Sequence, residues 1–78
     1  MIENPNRERV RTLIAEVFGL PTNQIPADVA QEDLAEWDSL GHLNLMLAIE
    51  EEFGLVLDVP QMTALTSQQA IVQYVEKG

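Results

Sequence analysis

A chain of 78 residues that carries 13 Asp and Glu against 4 Lys and Arg, for a formal net charge of −9, is poorly suited to nucleic acid or an anionic membrane as a partner. With no cysteine it has no disulfide, thiolate metal site or thiol nucleophile, so aliphatic packing alone must hold a single small domain spanning residues 1–78. No apolar run reaches membrane-spanning length and the first residues lack the apolar stretch of a signal peptide, which predicts a cytoplasmic monomer with no membrane insertion.

Asn4 and Pro5 open the first element, Asn as the cap and Pro in the first turn. Val10, Leu13, Ile14, Val17 and Phe18 then recur at helical spacing and Gly19 ends the pattern. This predicts a helix over about 6–18 whose Arg7, Arg9 and Arg11 face water. Periodicity is lost over 20–37, where Pro21, Asn23, Pro26 and Asp28 are loop formers. A loop this long in a small domain needs anchors, and Leu20, Ile25, Val29 and Leu34 are available, with Trp37 as a further one. A short helical turn at 29–33 is compatible with the pattern.

Asp38 is placed to cap a second helix over about 39–53, ended by Gly54. Leu40, Leu43, Met46, Leu47, Ile49 and Phe53 cover a broad face, widened by Leu45 and Ala48. Such a helix is either simply central to the core or lines a collapsible cavity for an aliphatic guest, with adaptable Met46 helping it reshape. Leu55, Val56 and Leu57 lack a partner strand and read as a buried linker. Pro60 starts a short helical turn through Leu65, and Thr66 with Gln69 matches a capping box. The last helix, over about 67–76, is expected to bury Ala70, Ile71, Tyr74 and Val75. The sum is an all-α protein, a small four-helix bundle with three longer helices, one short helix and a long first loop.

Catalysis fits these residues poorly. Ser39, His42 and Asp38 share one helix turn, but a triad needs a base aimed at the serine oxygen and oriented by a third group. One histidine without cysteine does not build a typical zinc site. The acids Glu32, Asp33, Glu36 and Glu50 to Glu52 attract Ca²⁺ or Mg²⁺ only weakly, in the absence of an EF-hand loop. What Ser39 does have is a position at a helix start, where unpaired amides and a partial positive charge favour an anion such as a phosphodiester on the serine.

The run Asp38-Ser39-Leu40, the apolar helix behind it and the closing Ala48-Ile49-Glu50-Glu51-Glu52-Phe53-Gly54 together resemble the acyl carrier protein family, and the resemblance extends over nearly the whole chain. It implies that Ser39 is the attachment point for 4′-phosphopantetheine, transferred from coenzyme A by a separate Mg²⁺-dependent phosphopantetheinyl transferase. Asp38 would help position that enzyme's metal, and Leu40 would make an apolar docking contact. The chain would supply no catalytic group. It would carry acyl intermediates as thioesters among an acyl-ACP synthetase or acyltransferase, ketosynthase-type enzymes and other acyl-transferring enzymes of fatty acid, lipid or polyketide-type biosynthesis. Gly41 and Asn44 stand where carriers of primary fatty acid synthesis usually have acids, which together with Trp37 points to a specialised member. The expected docking residues are Gly41, His42, Asn44, Glu50 and Glu51, with His42 at a surface or groove edge tuning recognition. Leu43, Met46, Leu47, Ile49, Val59, Met62, Leu65 and Ile71 are candidates for an acyl pocket, each with plain core as the competing role. An aminoacyl or D-alanyl carrier is the near alternative, and an unmodified acidic interaction module the distant one.

Overall fold

The structure, a computed structural model, describes residues 5–77. The cap expected at Asn4 lies outside the described residues. Four helices follow in order: α1 (Pro5–Phe18), α2 (Ser39–Phe53), α3 (Val59–Ala64) and α4 (Gln68–Lys77). Helix α1 packs against both α2 and α4. The fold is the all-α four-helix arrangement that the apolar spacing implies, and among the described residues no helix is long and apolar enough to cross a membrane.

Each long helix begins and ends for a local reason. Pro5 opens α1, where its missing N–H costs nothing. The Asp38 carboxylate caps α2 by accepting the amide of Gly41 at 2.7 Å. Gly19 after α1 and Gly54 after α2 have φ of 68° and 65°, a left-handed conformation that other residues resist and that releases the chain from the helix. The core joins Val10 and Ile14 of α1, Leu45, Met46 and Ile49 of α2, and Ile71 and Val72 of α4, with Ile25, Val29 and Trp37 entering from the first loop. Burying one such large side chain is worth roughly 1.5–3 kcal/mol, so the three loop residues tie 20–37 firmly to the helices.

That loop contains two 3₁₀ turns, Thr22–Gln24 and Gln31–Asp33. Its backbone pairs with the α3–α4 connection: the Gln31 amide donates to the Thr66 carbonyl at 2.9 Å and the Gln68 amide to the Val29 carbonyl at 2.8 Å. The result is a single antiparallel bridge, Ala30 to Ser67, which satisfies polar groups that a loop crossing the bundle would otherwise leave unpaired. Of the expected anchors, Ile25 and Val29 are buried, and Leu20 and Leu34 are half-buried against the core.

Four local expectations are corrected. The arginines of α1 do not simply face water. Arg11 is half-buried and spreads its guanidinium over the carbonyls of Ile25 (2.8 Å), Pro26 (3.1 Å) and Thr22 (3.2 Å) and over Gln68 Oε1 (3.0 Å), a use of its fixed five-donor fork that lysine does not match. Arg9 grips both the carboxylate and the carbonyl of Glu52 and lies 4.3 Å over the Phe53 ring, while Arg7 pairs with Asp28 at 3.7 Å. The stretch 55–57 is a buried linker only at Leu57, because Val56 is 89% exposed. The cap of α4 is Ser67, whose Oγ accepts the Ala70 amide at 3.1 Å, and not Thr66 with Gln69. Finally, α4 buries Gln68, Ile71 and Val72, whereas Ala70, Tyr74 and Val75 are half-buried.

Candidate functional site

The first turn of α2 sits where three elements meet, and its inner side, at Gly41 and His42, is held by groups from the loop, α1 and α3. Trp37, the last residue of the loop proper, is buried with its ring 5.7 Å from that of Phe18 at the end of α1. Its indole N–H donates to His42 Nδ1 at 2.9 Å, and the two rings stack at 6.2 Å. His42 Nε2 in turn bonds the Met62 carbonyl of α3 at 2.6 Å. The indole can only donate and the carbonyl can only accept, which assigns the tautomer: Nδ1 bare and Nε2 protonated. One side of Gly41 is equally enclosed, since a Cβ there would run into the Glu36 carbonyl and come within 2.9 Å of the Phe18 ring.

Ser39 occupies the opposite situation. It is exposed at the first position of α2, and its hydroxyl bonds no described residue. Asp38 accepts the Gly41 amide through its carboxylate and the His42 amide through its carbonyl at 2.7 Å, leaving the amides of Ser39 and Leu40 at the open helix mouth. Next to it, Leu40 is 67% exposed, and Leu43 and Leu47 at 46% and 51% continue an apolar stripe along α2. Asn44 lies exposed beside them.

The expected docking residues therefore separate. Asn44 and Glu51 are exposed, but Gly41 is a packing position and His42 is engaged on both ring nitrogens. Glu50 is half-buried and accepts the Leu57 amide at 2.7 Å, bracing the turn out of α2. The acyl-pocket candidates separate as well. Met46, Ile49, Leu65 and Ile71 are buried core, Met62 is half-buried against it, and Leu43, Leu47 and Val59 are on the surface. Two surface clefts, of about 350 and 280 Å³, border α1, and none of these eight residues lines either.

Sequence reasoning misses the capping box that starts α3, in which the Asp58 carboxylate accepts the Gln61 amide at 2.9 Å and the Gln61 side chain accepts the Asp58 amide at 3.2 Å. Asp58 followed three residues on by Gln61, with Pro60 between, is its signal. No local pattern signals the Trp37–His42–Met62 link, because its last partner is 20 residues away.

The fold is thus a small helical bundle that presents an exposed serine at the first turn of its most apolar helix. The sequence pattern of the phosphopantetheine attachment site matches residues 8–75. The acyl carrier protein of Akkermansia muciniphila is 33% identical over 78 residues, covering 99% of this chain and 96% of that protein. The non-reducing polyketide synthase ausA of Penicillium brasilianum is 30% identical over 69 residues, 88% of this chain but 3% of that much longer protein. The chain belongs to the acyl carrier protein family, and its cofactor is a covalently attached 4′-phosphopantetheine. The residues fit such a group: a phosphodiester on the Ser39 oxygen would leave toward solvent, beside open amides at the positive end of a 15-residue helix and with no acidic residue among 39–49 to repel it.

Proposed function

We propose that Ser39 is the residue that bears 4′-phosphopantetheine and that residues 1–78 make up one carrier domain. The observation that carries this is the Ser39 hydroxyl, exposed and unbonded at the first turn of α2, between the capping Asp38 and the exposed Leu40. When attached, the arm supplies the thiol on which acyl intermediates travel as thioesters; the protein supplies position and a surface for its partners to recognise. Those partners are a phosphopantetheinyl transferase, an acyl-ACP synthetase or acyltransferase that loads the thiol, and ketosynthase-type or other acyl-transferring enzymes of fatty acid, lipid or polyketide-type biosynthesis.

The same site favours a specialised carrier over a housekeeping fatty acid one. Residues 39–49 include no acid, Glu50 is turned inward to Leu57, and Glu52 is taken by Arg9. Along α2 the exposed surface beyond the serine is thus mostly uncharged and apolar, made by Leu40, Leu43, Asn44 and Leu47, with exposed acids at its two ends, Glu36 and Asp38 before Ser39 and Glu51 near the end of the helix. Docking through it depends more on fit and desolvation than on a basic partner patch. Asp38 caps the helix through its carboxylate, and in this reading it also helps the transferase hold its metal.

The test is intact mass after incubation with a broad-specificity phosphopantetheinyl transferase, coenzyme A and Mg²⁺. The wild type gains one phosphopantetheine and Ser39→Ala gains none. A gain on Ser39→Ala would refute the assignment, and no gain on the wild type, with the transferase active on another carrier, would refute the carrier function.

A further inference from the structure

Gln68, the first residue of α4, is the one buried polar residue among those described, at 1% exposure. Most of its polar groups are engaged by the fold. Its backbone N–H donates to the Val29 carbonyl at 2.8 Å, and its side-chain oxygen accepts from Arg11 at 3.0 Å. A guanidinium only donates, so the amide is oriented with its oxygen toward Arg11 and its NH₂ away from it. That NH₂ bonds no described residue. Among the described residues no enclosed side-chain nitrogen or oxygen lacks a partner, so the NH₂ has an opening, and the opening that Gln68 lines is the cleft of about 350 Å³ between α1, the first loop and α4. A glutamate would offer Arg11 the same oxygen; the NH₂ is the part of this side chain that the fold leaves unused.

Across the same cleft Arg7 of α1 is paired with Asp28 of the loop at 3.7 Å, and exposed Gln69 and Gln73 of α4 line its wall. With the acids Asp28 and Glu76 also in the lining, a neutral carbonyl suits the Gln68 donor better than an anion does. We propose that this cleft binds an extended peptide segment of a partner protein, one of whose backbone carbonyls accepts from the Gln68 NH₂. The spacing supports a peptide. Gln69 and Gln73, four positions apart, are separated by about 6 Å along α4, and the peptide groups on one edge of an extended chain recur at about 6.7 Å. Each glutamine amide both donates and accepts, as each peptide group does. The cleft is at the Arg7 end of α1, about 16 Å of helix from the Phe18 end that abuts Trp37 and the first turn of α2. A segment held there leaves Ser39 uncovered, and its binding does not depend on what Ser39 carries.

The test titrates the unmodified, ¹⁵N-labelled chain with a short capped peptide of alternating valine and threonine, which is uncharged and favours the extended form. In NMR spectra the side-chain NH₂ signals of Gln68, Gln69 and Gln73 should shift together and saturate, equally at low and high NaCl, while the amides of Leu43 and Leu47 hold still. Gln68→Glu keeps the oxygen that Arg11 needs and removes the donor, so it should bind at least about tenfold more weakly. Gln73→Ala, at an exposed position, should lose about fivefold. A Gln68 signal that ignores the neutral peptide would overturn the proposal, as would Gln68→Glu binding like the wild type. So would a response confined to a lysine-rich peptide and abolished by salt, which is attraction to the net charge of −9, or an equal response to acetate, which is a plain anion site. Should Gln68→Glu melt far below the wild type, Gln73→Ala carries the test, and unchanged binding by it would overturn the proposal in the same way.

Discussion

Replacing Arg11 by alanine should weaken this protein more than any other change to its few basic residues. The guanidinium bonds three loop carbonyls and the side chain of Gln68, which is itself buried. The bonds to the Thr22 and Pro26 carbonyls are exposed, so water replaces the lost donor there at little cost. Those to the Ile25 carbonyl and Gln68 Oε1 are partly buried, and losing a charged donor at each costs about 1.5 kcal/mol, or about 3 kcal/mol together. At roughly 4–8 °C per kcal/mol for a domain of this size, Arg11→Ala should lower the melting temperature by roughly 12–24 °C. Far-UV circular dichroism during thermal and urea unfolding measures it. Arg11→Lys should fall between, because an ammonium serves fewer of these acceptors than a planar fork. Arg9→Ala, which removes a surface pair and a cation–ring contact, should cost about 1 kcal/mol. An Arg11→Ala protein that melts within about 3 °C of the wild type, or no lower than Arg9→Ala, would refute the idea that this residue holds the loop closed.

Three further outcomes follow from the same contacts. Gly41→Ala should destabilise by about 1–2 kcal/mol in urea unfolding despite alanine's better helix propensity, because the new methyl collides with the Glu36 carbonyl and the Phe18 ring. Glu50→Ala should cost about 1–2 kcal/mol and Glu50→Gln distinctly less, since only the amide retains an acceptor for the Leu57 N–H. With a net charge of −9, the melting temperature should climb with added NaCl and further with millimolar Mg²⁺; a flat response would show that self-repulsion is not limiting stability.

The elements legible in the sequence are those whose determinants are local. Asp38 before an apolar periodic stretch and Gly54 after it define α2 without knowledge of anything else in the chain, and the extent 39–53 matches the observed Ser39–Phe53. Ser39 stands out for the same reason. What stays hidden depends on partners far away in sequence. Arg11 reads as a solvated charge because Gln68 is 57 positions off, and His42 reads as a surface residue because Met62 reaches it only when α3 folds back. The shifted cap of α4 is a different case: Thr66 and Ser67 both qualify chemically, and the choice is made by the bridge that joins residues 29–31 to Thr66 and Gln68. Hydrophobicity alone does not sort the acyl-pocket candidates from core, because Leu43 and Met46, one turn apart in the same apolar pattern, are half-exposed and fully buried respectively.

Mapping the modification to a residue tests the carrier assignment most directly. The chain has no Lys or Arg over residues 12–76, so trypsin leaves one long fragment, and a protease that cuts after acidic residues is needed. After incubation with transferase and coenzyme A, tandem mass spectrometry should find a single phosphopantetheine on the peptide containing Ser39, and on its serine oxygen. Modification at Ser67 or at any threonine, or none with the transferase active on another carrier, would contradict the role assigned to the first turn of α2.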